Sequence, residues 1–242
     1  MANLFSVFRG RDLSQDPETL NVSPVVVIGL GRFGLALATE LVEHGVEVFG
    51  IDNQDKVVKE HARMLTDAAV ANTTDPEVLQ QLGIDEVAHV VVAIGSHLED
   101  SILTVSNLVE AGAKDIWAKA DSEAHARILT QLGAHHVIRP ERDTGRRVAH
   151  LLGGQCYEFA QLDSNYGVIK MTPPASLLSQ PIDVTAVWDT QQVQVISVKK
   201  SSWEPVRDGM QLSPQDMIMV AGSPRALEAF SRSMKCAPGS QV

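Results

Sequence analysis

One hexapeptide constrains this chain more than any other feature. Gly29-Leu30-Gly31-Arg32-Phe33-Gly34 fits GxGxxG, directly follows the run VVVI and opens the amphipathic stretch GLALATELVEHG. In that setting each glycine has its own task. Gly29 permits the tight turn, Gly31 lets a backbone approach a diphosphate, and Gly34 allows close packing of helix on strand. The helix N-terminus adds free N–H groups and a positive dipole end. Asp52 closes the next strand, VEVFGID, 18 residues beyond Gly34, where a carboxylate accepts from ribose hydroxyls; Asn53 and Gln54 follow it. The plainer alternative is a glycine turn kept only for packing. Strand, loop, helix, strand and terminal acid in that order favour a bound adenine nucleotide.

The pattern continues as an alternation of strand and helix signals. Strands are predicted at 25–30, 46–52, 68–72, 89–95, 115–120 and 135–140, with helices at 34–45, 57–64, 76–83, 98–111, 122–133 and 143–154. Alternating units of this kind give a parallel sheet with right-handed crossovers and helices on both faces. Six strands and six helices in about 130 residues make the doubly wound, Rossmann-like α/β count. After Gly153-Gly154 the character changes. Strands are predicted at 157–163, 166–171, 193–200 and 216–222, a turn into a short helix at 173–182 and a final helix at 224–235. The expected organisation is an arm (1–23), a nucleotide-binding domain (24–152), a smaller α+β lobe (153–236) and a tail (237–242). Leu4, Phe5, Val7 and Phe8 make the arm either a frayed end or an apolar hook onto a partner.

Charge and composition narrow the function. The 242 residues carry a net charge of −10, and residues 24–152 hold 11 basic against 19 acidic groups. Such a surface repels a phosphate polymer, so no nucleic-acid partner is expected. The two cysteines, Cys156 and Cys236, lie 80 residues apart without a disulfide framework or CxxC pattern, and a reducing cytoplasm is the simplest compartment. The N-terminus has no apolar core of signal-peptide length, and VVVIGL and VVVAI fall far short of a membrane span.

Other candidates gather at strand C-termini, the edge where doubly wound sheets bind ligands. Arg32 inside the loop can reach beyond two phosphates to a third, or to a neighbouring subunit; otherwise it is a solvated charge. Asn72-Thr73 follows the third strand and Ile94-Gly95-Ser96 the fourth. Lys119-Ala120-Asp121 follows the fifth and Arg139-Pro140-Glu141 the sixth. Together a lysine and carboxylates there can hold phosphate and a divalent cation; singly each reads as a loop charge. His135 and His136, adjacent in a strand, point to opposite faces and do not suit one metal ion. Met210, Met217 and Met219 read as core filler.

The stretches VVVIGLGRFGLALATELVEHGVEVFGID, AVANTTDPEVLQQLGI, VVVAIG, IWAKA and HHVIRPERDTG resemble the RCK/KTN (TrkA-like) family, in particular the cytosolic regulatory subunits of Ktr-type bacterial potassium-uptake systems. The resemblance is strong over 24–152 and looser over 153–236. It implies a ring of eight subunits, a homo-oligomer docked on a membrane-embedded potassium transporter and therefore peripheral on the inner face of the cell membrane. It implies that ATP and ADP compete for the Rossmann site, that NAD(H) can also bind, and that ATP favours the active ring. By motif match Arg32 would touch the terminal phosphate and Asp52 the ribose. Asn72 and Thr73 would lie by the adenine, with Ile94, Gly95 and Ser96 beside them. Lys119 and His125 would line the phosphate side, and Glu141 would help bind Mg²⁺ or Ca²⁺ between paired subunits. Some relatives bind cyclic di-AMP in the C-terminal lobe. Trp188 stands where those relatives carry a basic residue, which argues against that ligand here.

No enzyme activity is expected. No Walker lysine follows the glycine loop, and no GxSxG is present. Two rivals remain. An NAD(H)-dependent oxidoreductase needs an acid or base near the nicotinamide, and no histidine follows His150. A soluble NADH redox sensor acting on DNA needs a basic face or a helix-turn-helix.

Overall fold

The computed structural model describes residues 22–95, 97–152 and 156–232. The chain divides into two compact units, with Glu141 the last residue of the first and Arg142 the first of the second. Most of the arm, Ser96, the Gly153-Gly154 pair, Cys236 and the tail lie outside the described residues.

Unit 1 is built on a six-stranded parallel sheet. In chain order its elements are β1 (Val25–Ile28), α1 (Arg32–Glu43), β2 (Val48–Asp52), α2 (Asp55–His61), β3 (Asp67–Val70), α3 (Pro76–Leu82), β4 (His89–Val92), α4 (Leu98–Glu110), β5 (Ile116–Lys119), α5 (Glu123–Leu132) and β6 (His136–Ile138). The sheet order is β3-β2-β1-β4-β5-β6. All four residues of β1 are buried, which is why the strand reads as an unbroken apolar run. Its alternate residues serve two cores. Val26 and Ile28 join Leu79, Val105, Leu108 and Leu129 from α3, α4 and α5. Val25 and Val27 join Ala38 and Val58 from α1 and α2. The order reverses between β1 and β4, and their C-terminal ends open the crevice where ligands bind in such sheets.

The doubly wound class expected from the sequence is present, with shifted boundaries. α1 starts two residues earlier than expected, with Gly31 as its N-cap, so Gly34 sits inside the first turn. β3 ends at Val70 and β4 at Val92, releasing residues 71–74 and 93–95 to the sheet edge. α6 (Pro140–Leu152) begins at proline, whose missing N–H costs nothing in a first turn, so Glu141 is helical. His135 precedes the strand it was assigned to and accepts the Ile116 N–H through Nδ1 at 3.0 Å. His136 stacks on Trp117 and faces Asp115.

Unit 2 carries a five-stranded antiparallel sheet, order β10-β9-β11-β8-β7. The strands are β7 (Glu158–Asp163), β8 (Tyr166–Met171), β9 (Val193–Lys199), β10 (Trp203–Pro205) and β11 (Met217–Gly222); the helices are α7 (Val184–Gln191) and α8 (Pro224–Arg232). Val187 of α7 and Leu227 and Phe230 of α8 close one core against Ile169, Val195, Val198 and Val220. The helix expected within 173–182 is only a single 3₁₀ turn, Ala175–Leu177, and the real helix follows at Val184. No helix among the described residues is long and apolar enough to cross a membrane.

Candidate functional site

The glycine loop is shaped by what its neighbours exclude. Gly29 has φ +93°, a conformation L side chains rarely adopt, and a Cβ there would press on the Ala93–Ile94 peptide at 3.2–3.3 Å. A Cβ on Gly34 would lie 1.9 Å from the Gly29 carbonyl oxygen. Gly31 is the opposite case: a Cβ there would meet nothing within 4 Å. The loop is therefore tight behind and open in front. Gly31 caps α1 without a side-chain hydrogen bond, and the first turn holds no acidic residue. The leading N–H groups of α1 thus meet no carboxylate within their own turn, which favours an anion there.

Asp52 ties this loop to the end of β2. Its Oδ2 accepts the Leu30 N–H at 2.8 Å and its Oδ1 the Gln54 N–H at 2.9 Å. Leu30 serves through its backbone; its side chain is in the core. A cavity of about 160 Å³ adjoins Asp52, lined by Gly29, Gly31, Asn53, Gln54 and Ile94, and by the Ala71–Thr74 loop. In that loop Asn72 Oδ1 accepts both the N–H and the hydroxyl of Thr74. Thr73 is buried, its hydroxyl 2.8 Å from that of Thr104. His97 and Asp100 also line the cavity, and neither was picked out by the sequence. The available signal was the start of α4, which sets them at its N-cap and third position on the same sheet edge.

A second hollow, about 540 Å³, lies on the other side of Gly31 and Gly95 and is lined by Arg32, Phe33, Ala93, Lys119, Asp121 and Glu141. Lys119 is buried, with Nζ 2.8 Å from Glu141 Oε1 and 3.4 Å from Asp121 Oδ1. Burial alone would lower its pKa, but the Glu141 hydrogen bond and the Asp121 charge outweigh it and hold Lys119 above the usual ammonium value. Glu141 moves the other way. The Lys119 hydrogen bond holds its carboxyl below the usual range against partial burial, and Arg32 adds its charge. Gly95 makes this possible, since a Cβ there would lie 2.8 Å from Lys119 Nζ.

Two predicted residues stand back from the hollow. Ala120 is buried, its N–H bonded to the Ile138 carbonyl. His125 is buried behind Asp121, whose N–H its Nδ1 accepts at 3.4 Å, and its Nε2 has no partner. Burial lowers the His125 pKa against the Asp121 charge, so the ring is neutral at pH 7.

The chain matches the TrkA-N domain model over residues 25–140. Over 210 residues it is 31% identical to Ktr system potassium uptake protein C of Bacillus subtilis, which covers 85% of this chain and 95% of that protein. Over 175 residues it is 38% identical to Ktr system potassium uptake protein A of Vibrio alginolyticus, 72% of this chain and 80% of the relative. The chain belongs to this Ktr family. Among solved structures it is similar to the RCK domain of GsuK, with TM-score 0.60 and 17% identity over 89% of this chain. It is also similar to a GsuK channel bound to NAD, with TM-score 0.61 and 17% identity over 98% of this chain. These likenesses establish the fold. The chain spans only 48% and 44% of those two solved chains. The glycine loop and Asp52 both fall within the residues that match the TrkA-N domain.

Proposed function

We propose that this chain is a nucleotide-gated regulatory subunit of a potassium-uptake system and not an enzyme. Its family supports the transport role, since its relatives carry potassium uptake in their names. The open face of Gly31, between a cavity beside Asp52 and a hollow holding Arg32 and Lys119, supports the nucleotide.

In this reading Asp52 turns from the loop's N–H groups to ribose hydroxyls, and the α1 N-terminus holds the first phosphates. ATP and ADP compete there, and NAD(H) fits the same loop. A third phosphate supplies one further anionic group. In this reading Arg32 and Lys119, which line the same hollow, distinguish it, and Lys119 exchanges part of its hold on Glu141 to do so. A divalent cation on Glu141 would have to displace Lys119. Among the described residues no three His, Cys, Asp or Glu side chains gather to hold a metal, and Glu141 is paired with Lys119.

Nucleotides shift an equilibrium only by their difference in affinity between its states. If copies of the chain form a closed ring, a site reaching a neighbouring copy converts that difference into a change of ring shape. The membrane-embedded transporter would feel it as a pull on its gate, placing the chain at the inner face of the membrane. Calorimetry with ATP and ADP tests the site. Arg32→Ala is expected to weaken ATP by about tenfold or more and ADP by much less, the loss of a charge-assisted contact. Equal losses for both nucleotides would overturn the role given to Arg32.

A further inference from the structure

α4 carries a polar stripe that the mechanism above leaves unused. Asp100, Thr104 and Asn107 fall at i, i+4 and i+7, one side of a 3.6-residue helix. Asp100 lines the cavity beside Asp52. The two residues further along reach the loop that forms another part of its wall. Asn107 Nδ2 donates to the Thr74 carbonyl at 2.9 Å and to the Thr73 carbonyl at 3.3 Å. The Thr104 hydroxyl lies 2.8 Å from that of Thr73, with both side chains buried. One helix therefore satisfies three polar groups of a loop joining β3 to α3.

The loop needs those partners. Among the described residues two adjacent carbonyls and a buried hydroxyl take these bonds from α4, and each such group left unpaired carries a desolvation penalty. The loop would turn to find water, taking Asn72 and Thr74 from the wall. A nucleotide would then have to restore the loop as it bound, and that ordering comes out of its affinity. The phosphate half has a different foundation: Gly29–Arg32 rests on β1, α1 and Asp52.

We infer that Thr104 and Asn107 are positioning residues for the nucleoside half of the cleft, setting affinity for the nucleoside without touching it. The inference rests on the nucleotide reading above. It is tested on the full chain by calorimetry with ADP, ATP and inorganic tripolyphosphate. Asn107→Leu, nearly isosteric, is expected to weaken ADP and ATP by the same factor, about tenfold, and tripolyphosphate by less than twofold. Thr104→Val should act in the same direction, while Thr104→Ser, which keeps the hydroxyl, should bind as wild type does. Unchanged ADP affinity in Asn107→Leu and Thr104→Val would overturn the positioning role. So would a matching loss for tripolyphosphate, which a merely structural defect would produce. Wild-type chain that binds neither nucleotide would overturn the nucleotide reading itself, a result distinct from both.

Discussion

Gly34 and Gly95 both leave little room for a side chain, for reasons that separate in experiment. At Gly34 the obstacle is backbone, the Gly29 carbonyl oxygen 1.9 Å from an added Cβ. At Gly95 it is the flexible end of Lys119, 2.8 Å away. Gly34→Ala is therefore expected to cost about 2–3 kcal/mol and to disable the loop, as forced overpacking does. Gly95→Ala should cost under about 1 kcal/mol while displacing the ammonium. Equal falls in melting temperature would contradict the distinction. The Lys119–Glu141 pair adds a pH signature. Glu141's depressed pKa makes its contribution present above the usual carboxylate value and lost as pH falls through the folded value. Lys119's raised pKa makes its own contribution full below the usual ammonium value and lost only as pH rises through the folded one. The pair is thus closed across the neutral range. Melting curves of wild type and Glu141→Gln should converge as the pH drops below the usual carboxylate range; a constant gap would contradict the pairing.

At the scale of elements, α7 shows how a helix can be hidden from its own sequence. VTAVWDTQ is rich in β-branched residues, weak helix formers. Its ends compensate. The Asp183 side chain caps the Ala186 N–H, and Asp208 Oδ1 accepts the Val184 N–H at 2.8 Å across 24 residues. Gln192 then ends the helix in the left-handed region, φ +55°. Asp183→Ala should cost about 1 kcal/mol, and Gln192→Gly should gain about 0.5–1 kcal/mol by relieving the Cβ strain. Denaturant midpoints moving the other way would count against this account. By contrast, the glycine loop, Asp52 and the alternation in unit 1 were legible because turn, strand and helix signals there are local. His97, Asp100 and Asn107 were not, because only the packing of α4 brings them to the cleft. β10 was missed because three residues ending in proline become a strand only by pairing with β9. Lys119 and Glu141 were legible as edge residues, while their 2.8 Å pairing depends on α6 starting at Pro140.

At the scale of the whole molecule, the net charge opposes the anionic ligand proposed for it. The chain carries −10 overall, yet beside the loop Arg32 and Lys119 balance Asp121 and Glu141, and the uncapped α1 N-terminus adds its dipole. Under the proposed function, that local balance would let an acidic protein take an anionic nucleotide and respond to how many phosphates it bears. The most direct test is potassium flux through the partner transporter reconstituted with this chain in vesicles, ATP against ADP at saturating concentrations. The account predicts faster flux with ATP, and loss of that difference in Arg32→Ala. Equal flux with the two nucleotides, or an undiminished ATP response in Arg32→Ala, would contradict it.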